Sequence, residues 1–269
     1  MVKKLLTLII LLLTVAQAGA LNRDIILATT TSTQDTGLLD DLIPLFEKQT
    51  GYRVKTIAVG TGQALAMGER GEADVLLVHS PAAEEKFMAK GCGLSRRLVM
   101  HNDFVIVGPG KDPAGIKGLT AAEAIKKISS EKTLFVSRGD DSGTHKLEKS
   151  LWEKVGIKPA GDWYIETGQG MAETLRIAEQ KRGYTITDRG TYLSQRKLIK
   201  LQILVEKDKP LINQYSVIVI NPDVFPNINP EGARVLADFF LSKDTQLRIK
   251  NFGVDKYGEA LFTPDGLNR

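Results

Sequence analysis

One cysteine, three histidines, two tryptophans and an aromatic content of 6% are all that 269 residues offer of these types. Each scarcity excludes a class. With Cys92 as the only thiol, no internal disulfide can form and the fold stands on packing alone. His79, His101 and His145 are scattered without metal-ligand spacing and no cysteine cluster supports them, which argues against a zinc centre. Basic stretches interleaved with aromatics are also missing. The most basic run, Lys181-Arg182 and then Arg196-Lys197 and Lys200, is diluted by Leu and Ile, so no nucleic-acid partner is expected. Gly143-Thr144-His145-Lys146 lacks the Gly-Lys-Ser/Thr ending of a phosphate-binding P-loop, and Gly60-Thr61-Gly62 is too short to be a dinucleotide fingerprint. A composition that is 42% hydrophobic and 25% charged excludes disordered, collagen-like and coiled-coil readings and leaves a globular chain with a sizeable core.

Long apolar runs are missing too, except at the start. Lys3 and Lys4 precede an apolar stretch over residues 5–15 and then the small-residue run Ala16-Gln17-Ala18-Gly19-Ala20. This order of charge, short apolar core and small residues predicts a secretory signal peptide over residues 1–20. Cleavage would leave about 250 residues, and no cysteine closes the leader to accept a lipid. A soluble, monomeric protein of the bacterial periplasm is the expectation. Removing the two lysines takes the formal charge from +4 to +2, too slight to imply an acidic partner.

After the leader the chain alternates short apolar runs with helical patterns. Residues 25–28 predict a buried strand, residues 29–37 a polar loop, and residues 38–50 a helix with Leu38, Leu39, Leu42, Ile43, Leu45 and Phe46 on one broad face and a bend at Pro44. The unit recurs at 54–59, 60–63 and 64–70, then at 73–78 and 82–90. A second set follows, with strands at 134–136, 163–166 and 183–186, each leading through a polar loop into a helix. Such βα alternation predicts an α/β protein in two lobes, each a mainly parallel sheet flanked by helices, with a ligand cleft between them. The expected division is a first lobe over 21–106, a second over 107–214, and a return over 215–269, with strands 104–107 and 215–220 as the crossings.

Four loops at helix starts, 29–37, 60–63, 137–144 and 187–190, are dense in hydroxyls, amides and glycines, and 167–170 is a fifth candidate. Free N–H groups and the positive dipole end at a helix start make a cradle for an anion, and Ser or Thr hydroxyls add donors without adding charge. Ordinary N-capping explains any one such loop, but Thr30-Thr31-Ser32-Thr33 exceeds what a single cap needs. Arg138 adds a permanent cation to the third loop, either as a fork clamping an oxyanion or as a surface arginine paired with Asp140 or Asp141. Arg189 beside Asp188 has the same ambiguity. The aspartates have the wrong sign for anion contact and are expected to cap helices or orient arginines. A secreted hydrolase using Ser142 and His145 is the enzymatic alternative, without an evident orienting acid or oxyanion pocket.

The stretch from Ala28 through the Thr-Thr-Thr-Ser-Thr-Gln-Asp-Thr-Gly run to Leu39 resembles the signature near the mature start of the tungstate-binding proteins of bacterial ABC importers. Val59-Gly60-Thr61-Gly62-Gln63-Ala64 is similar to that family's second binding loop, residues 137–144 to its third, and Thr187-Asp188-Arg189-Gly190 completes the order. The resemblance implies a type II periplasmic binding protein that closes on a tetrahedral oxyanion and delivers it to a membrane permease and ATPase, with no cofactor and no catalysis. It implies ligand contacts from Thr30, Thr31, Ser32, Thr61, Gly62, Arg138, Ser142, Gly143 and Thr144, with Thr29, Gly60, Ser137, Asp188 and Arg189 in supporting positions. Tungstate is the implied ligand. Molybdate is almost isosteric with it, and phosphate is the further alternative.

Overall fold

The structure is a computed structural model that describes residues 23–140 and 142–266. The expected signal peptide and Asp141 lie outside the described residues. In chain order the elements are β1 (Asp24–Thr30), α1 (Thr31–Asp35), α2 (Leu38–Thr50), β2 (Arg53–Val59), α3 (Thr61–Glu69), β3 (Val75–Val78), α4 (Pro81–Ala89) and β4 (Gly93–Gly108). The second set comprises α5 (Ala121–Ser130), β5 (Phe135–Ser137), α6 (Gly143–Lys154), β6 (Tyr164–Glu166), α7 (Met171–Lys181), β7 (Thr185–Asp188), α8 (Arg189–Gln195) and β8 (Gln202–Val205). The chain returns through a 3-10 turn at Lys209–Leu211 to β9 (Ile212–Ile220), α9 (Pro230–Leu241), α10 (Lys243–Asn251), α11 (Val254–Tyr257) and β10 (Thr263–Pro264). Among the described residues, no helix is long and apolar enough to cross a membrane.

Strands β2, β1 and β3 are parallel neighbours, as the βα rhythm predicts, and β5 runs parallel to β6. The sheets are nevertheless mixed, because β9 enters antiparallel to both β3 and β4, while β7 and β8 pair antiparallel with β4. The rhythm of strand, loop and helix reports the parallel units. It is silent on strands that return from the other lobe.

β4 joins the two lobes. Its residues up to Asp103 pair with β9, and from Phe104 onward its partners are β7 and β8. The first crossing therefore falls between Asp103 and Phe104. The second is displaced from its expected place: residues 215–220 lie wholly between β3 and β4 in the first lobe's sheet, and the return precedes Ile212. A run of buried β-branched residues looks the same in sequence whether it crosses a hinge or lies in a sheet centre.

Alternate residues on the central strands serve opposite faces. Leu27, Val75 and Leu77 join a core with Leu42, Phe46 and Leu236, while Ala28, Leu76 and Val78 face Phe87, Ile218 and Ile220. In the second lobe Phe104 and Ile106 pack with Phe135, Trp152 and Tyr184, whereas Val105 and Val107 pack with Met171 and Leu175. Covering both faces makes every such strand residue a core residue, and each fully buried Leu or Phe side chain contributes about 1.5–3 kcal/mol. Leu193 of α8 departs from the expected partition. It packs in the first lobe's core although its helix follows β7 of the second, so α8 bridges the lobes.

Candidate functional site

Parallel strands whose chain runs on into a helix deliver all their βα junctions to one edge. Thr30 at the end of β1 pairs in register with Val59 at the end of β2, so Thr31 and Ser32 sit beside Gly60 and Thr61. On the other side of β1, Thr29 is in register with Leu77, which brings His79, just past the end of β3, to the same edge. The expected loops are shorter than the sequence suggests. Residues 31–35 already form a helical turn, and Thr61 and Gly62 are the first residues of α3 rather than loop.

Hydroxyl partners sort the threonines. Thr29 is fully buried and its hydroxyl donates to the Leu77 carbonyl at 2.8 Å, which stitches β1 to β3. Thr30 caps α1, accepting from the Thr33 N–H at 3.1 Å, and its Oγ1 lies 3.1 Å from His79 Nε2. Ser32 Oγ is also 3.1 Å from His79 Nε2 and 3.1 Å from Thr30 Oγ1, so two hydroxyls converge on one ring nitrogen. Thr31, Ser32, Gly60 and Gly62 are exposed at this edge.

His79 is the site residue that reading the sequence misses. In the sequence it is one of three scattered histidines. Its ring stacks on Tyr215, with centroids 4.8 Å apart, and its Nδ1 lies 3.0 Å from Asn213 Oδ1. The Asn213 amide donates to Asn102 Oδ1 at 2.8 Å and to Tyr215 Oη at 3.1 Å. Its oxygen thus faces His79 as an acceptor, Nδ1 carries the proton, and Nε2 of the neutral ring is left as an acceptor. Burial pushes the imidazole below its ordinary range, opposed by the Asn213 hydrogen bond and the Asp188 charge. The available signal was its place, directly after a third parallel strand, as the hydroxyl loops follow the first two.

The second lobe presents the opposing wall. Ser142 caps α6 by accepting from the His145 backbone N–H at 3.4 Å. A Cβ built on Gly143 would come within 3.7 Å of His79 Cε1, so the start of α6 faces the β3 edge of the first lobe directly. Thr144 and His145 are buried behind it, and His145 Nε2 lies 3.9 Å from Glu166 Oε1. The Ser142 hydroxyl therefore serves as a helix cap, as the His145 backbone rather than a nucleophile's partner requires.

Arg138 is four-fifths buried and pairs with Asp140 through Nη2, while Asp140 Oδ1 also accepts from the Ser142 N–H at 3.2 Å. The pairing does not exhaust the guanidinium. Nε of Arg138 is buried and has no hydrogen-bond partner among the described residues. An uncompensated buried donor of this kind costs about 1–3 kcal/mol, and an oxyanion would supply the missing acceptor. Gly139 permits the loop to turn, with φ of 63°, and a Cβ there would meet Glu166 Cβ at 2.8 Å.

Beneath the loop sits Glu148, a second residue that sequence reading overlooks. It is 2% exposed and accepts from Ser137 Oγ at 2.7 Å, Tyr164 Oη at 2.7 Å and Trp152 Nε1 at 3.1 Å. Ser137 is thus turned inward as loop support and not toward a ligand. Residues 167–170 brace the same loop from the side: the Thr167 N–H donates to the Ser137 carbonyl and the Gly168 N–H to the Arg138 carbonyl.

Asp188 caps α8, accepting from the Thr191 N–H at 2.8 Å and the Thr191 hydroxyl at 2.7 Å. Arg189 is taken out of contention. Its fork donates to both Asp103 oxygens, at 2.7 and 2.6 Å, and to Glu206 at 2.6 Å, which holds the two crossings together. Arg189→Gln is expected to lower unfolding free energy by about 1.5–3 kcal/mol, measured in urea, while oxyanion affinity stays within error. A large loss of affinity would return Arg189 to the site.

Surface cavities of about 600 and 580 Å³ lie elsewhere, against Arg97 and Arg234 and against Asp103 and Glu259. Neither is lined by Thr30, Ser32, Thr61, Arg138 or Gly143. Among the described residues, no group of three His, Cys, Asp or Glu is placed to hold a metal ion.

Two mixed-sheet lobes joined by crossing strands, with helix starts of both facing one another, define a two-lobed binding protein. A family model for the PBP superfamily domain matches residues 15–244. The tungstate-binding protein TupA of Peptoclostridium acidaminophilum is 56% identical over 244 residues, covering 90% of this chain and 85% of that protein. The structure of the tungstate-binding protein TupA from Desulfovibrio alaskensis G20 superposes with a TM-score of 0.84 at 50% identity, covering 90% and 98% of the two chains. That of the tungstate ABC transporter from Geobacter sulfurreducens does so with a TM-score of 0.71 at 47% identity, covering 82% and 95%. The chain belongs to the family of tungstate-binding proteins within the periplasmic binding protein superfamily.

Proposed function

We propose that the protein captures tungstate outside the cytoplasmic membrane and delivers it to the permease of an ABC transporter, powered by its ATPase. It acts as a binding protein and not as an enzyme, exported to the periplasm by the segment over residues 1–20, and works as a monomer. The first lobe comprises 21–103 and 212–269 and the second 104–205, with residues 206–211 as the return between them, where the sequence pattern suggested 21–106, 107–214 and 215–269. Thr30, Thr31, Ser32, Thr61 and Gly62 meet the anion from the first lobe; Arg138, Ser142, Gly143 and Thr144 meet it from the second.

The observation that carries this reading is the buried Nε of Arg138, unpartnered among the described residues, beside a helix start that faces the hydroxyl edge of the other lobe. The carboxylates nearby favour an anion without a proton. Asp140 is committed to Arg138 and Ser142, and Asp188 to Thr191, so neither is left over to accept the proton of hydrogen phosphate. Sulfate has the same charge as tungstate but is smaller and would miss part of the donor set. Calorimetric titration with tungstate, molybdate, sulfate and phosphate tests the proposal. Tungstate is expected to bind in preference to sulfate and phosphate and to stabilise the folded protein by mass action, by about 2.7 kcal/mol at a hundredfold excess over Kd, which raises the melting temperature. Indifference to all four anions would overturn it.

A further inference from the structure

We propose that His79 sets the charge state of the ligand: in the free protein its Nε2 holds a hydroxyl proton of the Thr30–Ser32 pair, and as a fully deprotonated dianion binds it takes up one proton from solvent and releases that hydroxyl toward the anion. The inference rests on the oxyanion reading of the site.

The hydrogen-bond inventory forces the choice. Asn213 Oδ1 fixes the proton of the neutral ring on Nδ1, and Asn213 is itself held by Asn102 and Tyr215. Nε2 is therefore an acceptor, and Thr30 and Ser32, each 3.1 Å away, are the donors within reach. Thr30 Oγ1 already accepts from the Thr33 N–H; its single proton goes to the ring, to Ser32 Oγ or to the Thr33 hydroxyl 2.6 Å away, and where it goes elsewhere Ser32 is the donor left for Nε2. A hydroxyl that donates to His79 cannot donate to a ligand. Protonation of Nε2 reverses the direction: the ring donates to Ser32 Oγ, and the hydroxyl protons turn outward. The proton on Nε2 is taken from hydronium or a buffer acid, an N–H bond forming as the donor's bond to hydrogen breaks and its conjugate base stays in solvent; no bond between heavy atoms changes, and the site gains one positive charge against a charge of minus two.

The groups facing the ring are the Asp188 carboxylate, the stacked Tyr215 phenol, Asn213, the two hydroxyls, and the start of α6 at Gly143. Burial keeps the ring neutral in the free protein. A dianion beside it raises its affinity for a proton. Binding is therefore strongest at low pH and weakens as pH rises, from below the ordinary imidazole value of about 6.5 up to the value that His79 reaches in the complex.

The test is calorimetry of the mature protein with sodium tungstate, in buffers of differing ionisation enthalpy, from about pH 7 to about pH 9. Uptake approaching one proton per anion is expected, with affinity falling by up to about tenfold per pH unit within that window. Nitrogen-15 spectra of the wild-type protein should show His79 protonated on Nδ1 alone when free and on both nitrogens when loaded. His79→Gln should bind tungstate more weakly at neutral pH, without proton uptake and without a pH slope. Tungstate bound by the wild type with no proton uptake, or a loaded His79 that stays singly protonated, overturns the inference and leaves the proposed function standing. Proton uptake that persists in His79→Gln does the same. Failure to bind tungstate at all overturns both. Should the variant fail to fold, the wild-type proton count and spectra decide alone.

Discussion

Arg138→Ala is expected to weaken tungstate binding by about 2–5 kcal/mol, which is roughly thirtyfold to several-thousandfold in Kd. The substitution removes the buried Nε, which has no partner among the described residues. Arg138→Lys should do nearly as badly although it keeps the charge, because a single ammonium would be claimed by Asp140, where Nη2 now sits. The ligand-free melting temperature should change little, since Asp140 keeps its hydrogen bond from the Ser142 N–H. Calorimetry of both variants measures the effect. Unchanged affinity in Arg138→Ala would remove the residue from contact with the anion.

Glu148→Ala is expected to cost about 3–5 kcal/mol of folding stability. It would leave Ser137 Oγ, Tyr164 Oη and Trp152 Nε1 without their shared acceptor inside the second lobe. The loop carrying Arg138 rests on that acceptor, so oxyanion affinity should fall as well. Burial pushes the Glu148 carboxyl up, and the folded protein therefore keeps this proton to higher pH than the unfolded chain. Its contribution to stability is complete below the ordinary glutamate value of about 4.3 and is lost as pH rises through the raised value. Glu148→Gln stays neutral throughout. Urea unfolding of the two proteins should show the wild type's advantage over Glu148→Gln shrinking with rising pH; an advantage that grows instead would show that burial does not govern this carboxyl.

Much of the fold was legible because the evidence for it is local. The helix after Gly37 runs to Thr50, and α5 starts at Thr120 with a capping box to Glu123. The spacing of apolar residues and the capping chemistry within such a segment decide both. Arg138 pairs with Asp140, a partner that the sequence offered only as the alternative to an oxyanion clamp, and does so four-fifths buried rather than as a surface side chain. Ser137, Asp188 and Arg189 stand at the strand-to-helix junctions that donor content singled out, the first two ending strands and the third opening a helix, but their partners, Glu148, Thr191 and Asp103 with Glu206, turn them to support.

His79 and Glu148 stayed hidden for the opposite reason. A lone histidine before Ser-Pro and a glutamate inside a helix carry no local mark, and their roles come from Asn213, 134 residues away, and Tyr164, 16 residues away. By itself the sequence determined the βα units, the hydroxyl-rich edges and the arginine loop, since those follow from periodicity, capping and residue chemistry over a few turns. The tertiary structure alone decided which edges face each other, where β4 and the return to β9 cross between lobes, and which hydroxyls meet His79. Strand register and lobe contact set those, and both join residues that the chain keeps far apart.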